Sequence, residues 1–187
     1  MNQRFASRIA LPALAIAALF VFAGRMNAKE IGGGPPITST VYLFEDTELV
    51  GDVTCAVPMT LAGANPCIAF AADHIELRLN GHTITGPVTP PTGCSLPIDT
   101  MYGVGIEAID RTDVKIEGPG IIQHFERWGI LLGLTGHPSS EVTVKKVTVY
   151  RNCWSGMQTF STSESLFEEN VFVDDAGGSN GASCGGT

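Results

Sequence analysis

The sequence predicts an all-β fold, a right-handed parallel β-helix of about four coils with three short strands in each coil. Three observations lead to this prediction. Similar segments recur with a period in the mid-twenties, apolar and polar residues alternate within short runs, and no capped helical pattern follows the N-terminal segment. Antiparallel hairpins do not explain equivalent runs that align like on like. A leucine-rich repeat lacks support because its characteristic leucine spacing and asparagine column are missing.

Residues 1–28 have the pattern of a secretory signal peptide. Arg4 and Arg8 precede an apolar run over 9–22, and cleavage is expected after Ala23 or Ala28. The apolar run covers 14 positions, fewer than the roughly 18 needed to span a bilayer. We therefore expect a secreted or periplasmic protein without a membrane span after cleavage.

The charge of the chain limits its partners. The formal net charge is −8, and cleavage after Ala28 would also remove Arg4, Arg8 and Arg25, giving −11. An acidic surface argues against nucleic acid, anionic lipid and polyanionic substrates unless a cation bridges them, whereas neutral sugars remain compatible.

Within the mature chain, residues 29–40 are rich in Gly and Pro and are predicted to be a flexible lead-in. The β-helix is predicted over 41–175, and a Gly/Ser-rich tail over 176–187. The first strand of the β-helix is predicted at 41–44. In 73–86 two alternating runs are separated by a bend at Asn80-Gly81. The Pro-rich stretch 87–101 is predicted to be a surface loop.

The repeat is marked by Tyr102, Trp128 and Trp154, which lie 26 residues apart. This spacing aligns three residues of one unit with three of the next: Val104 with Ile130, Ile106 with Leu132, and Ala108 with Leu134. Two further runs in each unit align downstream. They predict two outward columns along the stack, one of Glu76, Lys115 and Thr143, the other of Arg78, Glu117 and Lys145.

The five cysteines are expected to form structural disulfides, since none lies in a C-x-x-C pair. Cys55 and Cys67 flank one loop and are predicted to pair, and Cys94 is predicted to pair with Cys153 or Cys184. One thiol is left over or pairs between chains.

The segments D-H-I-E-L-R-L-N-G-H-T-I-T-G (73–86), V-K-I-E-G-P-G-I-I-Q (114–123) and V-T-V-K-K-V-T-V (142–149) together resemble secreted bacterial β-helix proteins of the pectate-lyase-like superfamily. The resemblance covers about 55–174 and implies the fold. Members include polysaccharide lyases, hydrolases, epimerases, non-catalytic surface proteins and a periplasmic protein associated with copper-site maturation of nitrous oxide reductase. Fold alone does not choose among these functions.

A polysaccharide lyase would need clustered carboxylates, commonly with calcium, and a base. The candidate carboxylates are Glu107, Asp110, Asp113 and Glu126, and the candidate bases are Arg111, Arg127 and Arg151. The segment 110–113 is also an ordinary turn sequence, and we favour that interpretation. Asp174-Asp175, the pair of adjacent aspartates that a hydrolase might use, is likewise interpreted as a turn.

Other candidate sites depend on imidazole and aromatic groups. A copper site would draw on His74, His82 and His124, with His137 in a further turn, but their spacing lacks a metal-binding pattern. The column of Tyr102, Trp128 and Trp154 is either a sugar-stacking platform or, as we favour, a corner stack that packs the core.

We therefore expect a secreted binding or structural protein of the cell envelope, with carbohydrate as its ligand and without a cofactor. A lyase or hydrolase acting on an acidic polysaccharide, with calcium if a lyase, is the alternative, and a periplasmic copper-site accessory protein is third. The tail after the final coil is too polar to act as an apolar cap, so we expect either self-association through that coil or a chain that is a fragment of a longer stack.

Overall fold

A computed structural model describes residues 28–57, 65–88 and 103–175. These residues are all-β and contain no helix. In chain order the strands are β1 (Lys29–Ile31), β2 (Val41–Leu43), β3 (Thr47–Leu49), β4 (Val53–Thr54), β5 (Asn65–Phe70), β6 (Glu76–Arg78), β7 (Thr83–Thr85), β8 (Gly103–Ala108), β9 (Lys115–Gln123), β10 (Trp128–Leu132), β11 (Ser139–Ser140), β12 (Thr143–Tyr150), β13 (Ser155–Thr159), β14 (Thr162–Ser163), β15 (Leu166–Glu168) and β16 (Val171–Val173).

The strands form three sheets in which every strand pairing is parallel. Sheet 1 has the order β1-β3-β6-β9-β12-β15, and also includes β4, β7 and β16. Sheet 2 has the order β2-β5-β8-β10-β13, and sheet 3 pairs β11 with β14. Each passage of the chain from sheet 2 through sheet 1 lies on the passage before it, and we call one such passage a level. Sheet 2 contains five strands, so the described residues form five levels rather than about four.

Two segments differ from the predicted strand pattern. The lead-in at 29–40 includes β1, which pairs in register with β3 and so extends sheet 1 below the first level. Its alternation of Lys29, Glu30 and Ile31 is short, but Ile31 packs against the core. In the third and fourth levels, the two predicted runs merge into the single long strands β9 and β12, which bend at an irregularity between Lys145 and Val147.

The main core lies between sheets 1 and 2 and consists of aliphatic side chains stacked level upon level. Leu77, Ile116 and Val144 are register neighbours and are fully buried. Burial of each such side chain contributes about 1.5–3 kcal/mol. The alternation seen in the sequence is therefore the alternation between this core and the outer surface.

The two outward columns predicted for sheet 1 are confirmed. Glu76, Lys115 and Thr143 are successive register partners. Arg78, Glu117 and Lys145 form the second column, which continues to Glu30 and Glu48 below and to Glu168 above.

The predicted alignment of the third and fourth levels in sheet 2 is wrong by two residues. Val104 pairs with Trp128, and Ile106 pairs with Ile130. Glycine explains the true register, because a Cβ at Gly105 would lie 2.4 Å from the carbonyl oxygen of Gly129. The levels approach too closely for a side chain at these positions, and this constraint outweighs the even spacing of the aromatic residues.

The corners between strands use residues with positive φ at equivalent places in successive levels. Such backbone is uncommon for residues other than Gly, Asn and Asp, and costs about 1–2 kcal/mol per residue. Three columns result: His74, Asp113, Glu141 and Glu164; Asn80, Lys146 and Glu169; and His124, Arg151 and Asp174.

The predicted disulfide between Cys55 and Cys67 is confirmed, with a Cα–Cα distance of 5.8 Å. It joins the end of the first level to β5 in the second. Cys153 is also disulfide-bonded. Several predictions concern residues outside the described part of the chain. These are the signal segment, most of the loop at 87–101, the tail, and the residues Cys94, Tyr102 and Cys184.

Among the described residues there is no helix long and apolar enough to cross a membrane.

Candidate functional site

The outer face of sheet 2 carries a second apolar cluster, separate from the main core. A Cβ at Gly105 would meet Ile122 and Phe125 side chains, and one at Gly129 would meet Val149, so both glycines face inward. Strand alternation then directs the preceding residues, Val104 and Trp128, outward. Val104, Trp128 and Leu131 form a buried cluster to which Ile109, Leu134 and Trp154 also pack. Trp128 is therefore a buried core residue, as expected, but it lies in this second cluster and not in the core between sheets 1 and 2.

Three aromatic rings and one guanidinium group meet at this cluster. The indole rings of Trp128 and Trp154 are nearly parallel, with centroids 5.6 Å apart and planes inclined by 18°. Phe160 meets Trp128 edge-on at 5.8 Å. The Arg127 guanidinium carbon lies 4.0 Å from the Trp128 ring centroid and 4.3 Å from that of Trp154. Ring stacking and cation–π attraction each contribute about 0.5–2 kcal/mol, so these groups hold one another in place.

The rings differ in their access to solvent. Trp128 is only 3% exposed and supports the others, whereas Phe160 is 48% exposed and Trp154 is partly exposed. Phe160 and part of Trp154 are therefore the aromatic groups of this cluster that solvent reaches.

Glu107 lies beside this cluster, on strand β8, with Ala69 and Leu131 as its register neighbours. Burial raises the pKa of the Glu107 carboxyl from 4.5 to about 7. Its Oε2 atom is buried and has no hydrogen-bond partner in the described part of the chain. Near neutral pH this carboxyl is therefore divided between its protonated and ionised forms, and it keeps unused hydrogen-bonding capacity.

Gln158 completes the row across the sheet, since it is the register neighbour of Leu131 on the side opposite Glu107. A carboxyl and an amide thus flank Leu131, which packs in the same cluster as Trp128. We call the set of Glu107, Arg127, Trp128, Leu131, Trp154, Gln158 and Phe160 the outer-face patch. Apolar rings with a few planar polar groups are the usual means of holding a partly polar small molecule.

Four members of this patch are candidates from the sequence, but the sequence pattern does not bring them together. Glu107 and Arg127 were lyase candidates, and Trp128 and Trp154 were placed in an aromatic column. Gln158 and Phe160 were missed. The alternation in β13 could have indicated Gln158, whereas the return of Phe160 onto Trp128 depends on the turn that follows β13.

The remaining lyase candidates at 110–113 lie in a corner where three levels meet, and each is paired. Asp110 lies 2.8 Å from His137, and Arg111 lies 3.7 Å from Asp73. Asp113 lies 3.1 Å from His74 and 3.8 Å from Lys115.

Backbone contacts assign a structural role to the same corner. The Thr112 N–H donates to Asp73 Oδ1 at 3.0 Å, and the Arg111 N–H donates to Ser139 Oγ at 3.2 Å. These interactions tie neighbouring levels together, as the turn interpretation expects.

The other acidic candidates lie at the corner that follows sheet 1. Glu126 is nearly buried, and burial raises the pKa of its carboxyl. Asp174 lies 3.4 Å from Arg151, while Asp175 Oδ1 accepts hydrogen bonds from the Asn152 backbone N–H and from Nδ2. The two adjacent aspartates are therefore directed to different partners.

The three candidate copper ligands lie in different turns. His74 contacts Asp113, His82 lies 3.5 Å from Asp52, and the His124 ring lies 6.2 Å from that of Tyr150. Burial and the nearby Arg151 charge lower the pKa of His124. Within the described ranges no three His, Cys, Asp or Glu side chains are grouped in a way that could hold a metal ion.

Comparisons of the chain with protein-family models, with curated proteins and with solved structures found no match.

Proposed function

We propose that this protein is a secreted right-handed parallel β-helix of the pectate-lyase-like superfamily that binds carbohydrate through the outer-face patch. The parallel pairing of each level with the next supports the fold. The Cys55–Cys67 disulfide and the apolar segment at 9–22 support an oxidising, extracytoplasmic location.

The observation that carries the binding proposal is the near-parallel pair Trp128 and Trp154, in a cluster whose Leu131 has Glu107 and Gln158 as its register neighbours. Sugar rings have apolar C–H faces that pack on indoles, and their hydroxyls pair with carboxyl and amide groups. Glu107 and Gln158 supply those groups. The formal charge of −8 favours neutral over polyanionic sugars.

A glycan array followed by titration calorimetry tests the proposal. We expect the protein to bind a neutral oligosaccharide, and Trp154→Ala to weaken binding by about tenfold or more. Tyr42→Ala is a matched control, because Tyr42 is an exposed aromatic residue at the opposite edge of sheet 2. Equal affinities for the two variants, or no binding to any neutral glycan, would refute this role for the patch.

One observation favours a second candidate function, cleavage of a polysaccharide with Glu107 as the general acid or base. A carboxyl whose pKa lies near 7 can both donate and accept a proton at neutral pH. We nevertheless expect no unsaturated product from polygalacturonate or alginate, with or without calcium. Product that disappears in Glu107→Gln, Arg111→Ala or Arg127→Ala would establish the enzyme instead.

A further inference from the structure

The last level leaves the end of the apolar core uncovered. Phe167 and Phe172 are the register partners of Val144 and Val149, which are completely buried. Phe167 and Phe172 themselves are 43% and 47% exposed. Leu166, Val171 and Val173 beside them are exposed as well.

The same level presents free strand edges. Strands β15 and β16 pair with β12 on one side, and no other described strand pairs with them. Their outer edge therefore offers unpaired backbone N–H and C=O groups along an apolar strip, which is a template for another strand.

Much of the negative charge at this end is already matched by bases of the level beneath. Glu168 lies 2.9 Å from Lys145, Glu169 lies 3.9 Å from Lys146, and Asp174 lies 3.4 Å from Arg151. The contact with Lys145 lowers the pKa of Glu168, so this carboxylate stays ionised and paired. A partner at this edge thus meets apolar side chains between paired carboxylates.

A second copy of the chain can approach this edge in two ways. In a head-to-tail stack, the outward column that ends at Glu168 would continue into Glu30 of the second copy, which places two carboxylates side by side. A two-fold axis through the centre of the β15–β16 edge instead sets Phe167 opposite Phe172 of the second copy, and Glu168 opposite Val171. Within positions 166–173 this arrangement opposes no two carboxylates directly.

We propose that the protein forms a two-fold dimer through the β15–β16 edge. The apolar residues at 166–167 and 171–173 lie at the two ends of the edge, which makes it self-complementary, as a two-fold interface requires. The two copies pair antiparallel and cover each other's exposed core.

Sedimentation equilibrium on the full secreted protein measures the association. We expect a dimer whose Kd rises by about tenfold or more in Phe172→Glu. Phe44→Glu is the control, since Phe44 is 69% exposed near the opposite end of the stack. Circular dichroism verifies that both variants fold. Cys184→Ser removes any covalent link through the tail and is expected to leave the dimer intact.

Cross-linking tests the register independently of any loss of folding. Glu168→Cys protein mixed with Val171→Cys protein is expected to give a disulfide between positions 168 and 171 that neither protein gives alone. A monomer at all concentrations, a dimer disrupted by Phe44→Glu but not by Phe172→Glu, or a dimer in which positions 168 and 171 form no disulfide would overturn the proposal.

Discussion

Replacement of Glu107 by Gln removes an ionisable group from an apolar position while preserving the shape of the side chain. Glu107 lies between Ala69 and Leu131, both of which are buried. In the wild-type protein, ionisation of the carboxyl is opposed by this environment. Glutamine does not ionise, so the unfolding free energy of the variant is expected to lack the part of its pH dependence that comes from Glu107.

The magnitude follows from the pKa of Glu107, about 7 in the folded protein against an ordinary 4.5. Because the folded pKa is the higher one, the stabilisation is fully present below pH 4.5 and is lost as the pH rises towards 7. At about 1.4 kcal/mol for each pH unit in this interval, the loss approaches about 3 kcal/mol. The difference in unfolding free energy between variant and wild type is therefore expected to increase by that amount from pH 4 to pH 8.

Guanidinium denaturation at several pH values measures this difference. Glu45→Gln is the control, since Glu45 is exposed at a turn. Both variants share the rest of the protein's titration, which cancels when they are compared. A free-energy difference for Glu107→Gln that stays constant between pH 4 and pH 8 would refute the reasoning, because it would mean that Glu107 ionises as readily in the folded protein as in the unfolded chain.

Three further predictions concern the scaffold. Glu141→Asn is expected to raise the unfolding free energy by about 0.5–1 kcal/mol, because Asn tolerates the φ of 55° at position 141 better than Glu does. The control Glu45→Asn is expected to leave the unfolding free energy unchanged in the same denaturation assay. Peptide mapping is expected to find a disulfide between Cys153 and Cys94, because Cys153 packs on Val88, which lies six residues before Cys94. A disulfide between Cys153 and Cys184 would contradict this prediction. In a monomeric variant, hydrogen exchange is expected in β16 well before β6, which is paired on both sides; equal protection would be the contrary result.

The register of sheet 1 could be predicted because its strands alternate plainly between apolar and charged residues. Glu76, Arg78, Lys115 and Glu117 mark the outer surface in adjacent levels, and a shift by one residue would bury them. Such a pattern predicts which side chains of a strand face outward, and which residues of the adjacent strand they pair with.

The register of sheet 2 could not be predicted in the same way, because its outer face is also apolar. Trp128 and Leu131 are as hydrophobic as the core residues Ile130 and Leu132, so alternation carries little information there. The even spacing of the aromatic residues then suggested an alignment that the close approach of Gly105 to Gly129 excludes.

The candidate site was only partly visible in the sequence for the same reason. The charged and aromatic residues at 107, 127, 128 and 154 are each candidates by residue type. That they lie together on one face depends on the register of sheet 2. Phe160 joins the patch through a contact between residues 32 positions apart. A period-2 pattern does not report such a contact.

Tryptophan fluorescence tests the central claim most directly, because both tryptophans of the chain, Trp128 and Trp154, belong to the outer-face patch. Titration with the neutral oligosaccharide of highest affinity on the glycan array is expected to give a saturable change in emission. Glu107→Gln is expected to shift its midpoint, and Tyr42→Ala is expected to leave it unchanged. Binding seen by calorimetry without any change in tryptophan emission would place the ligand elsewhere and contradict the account.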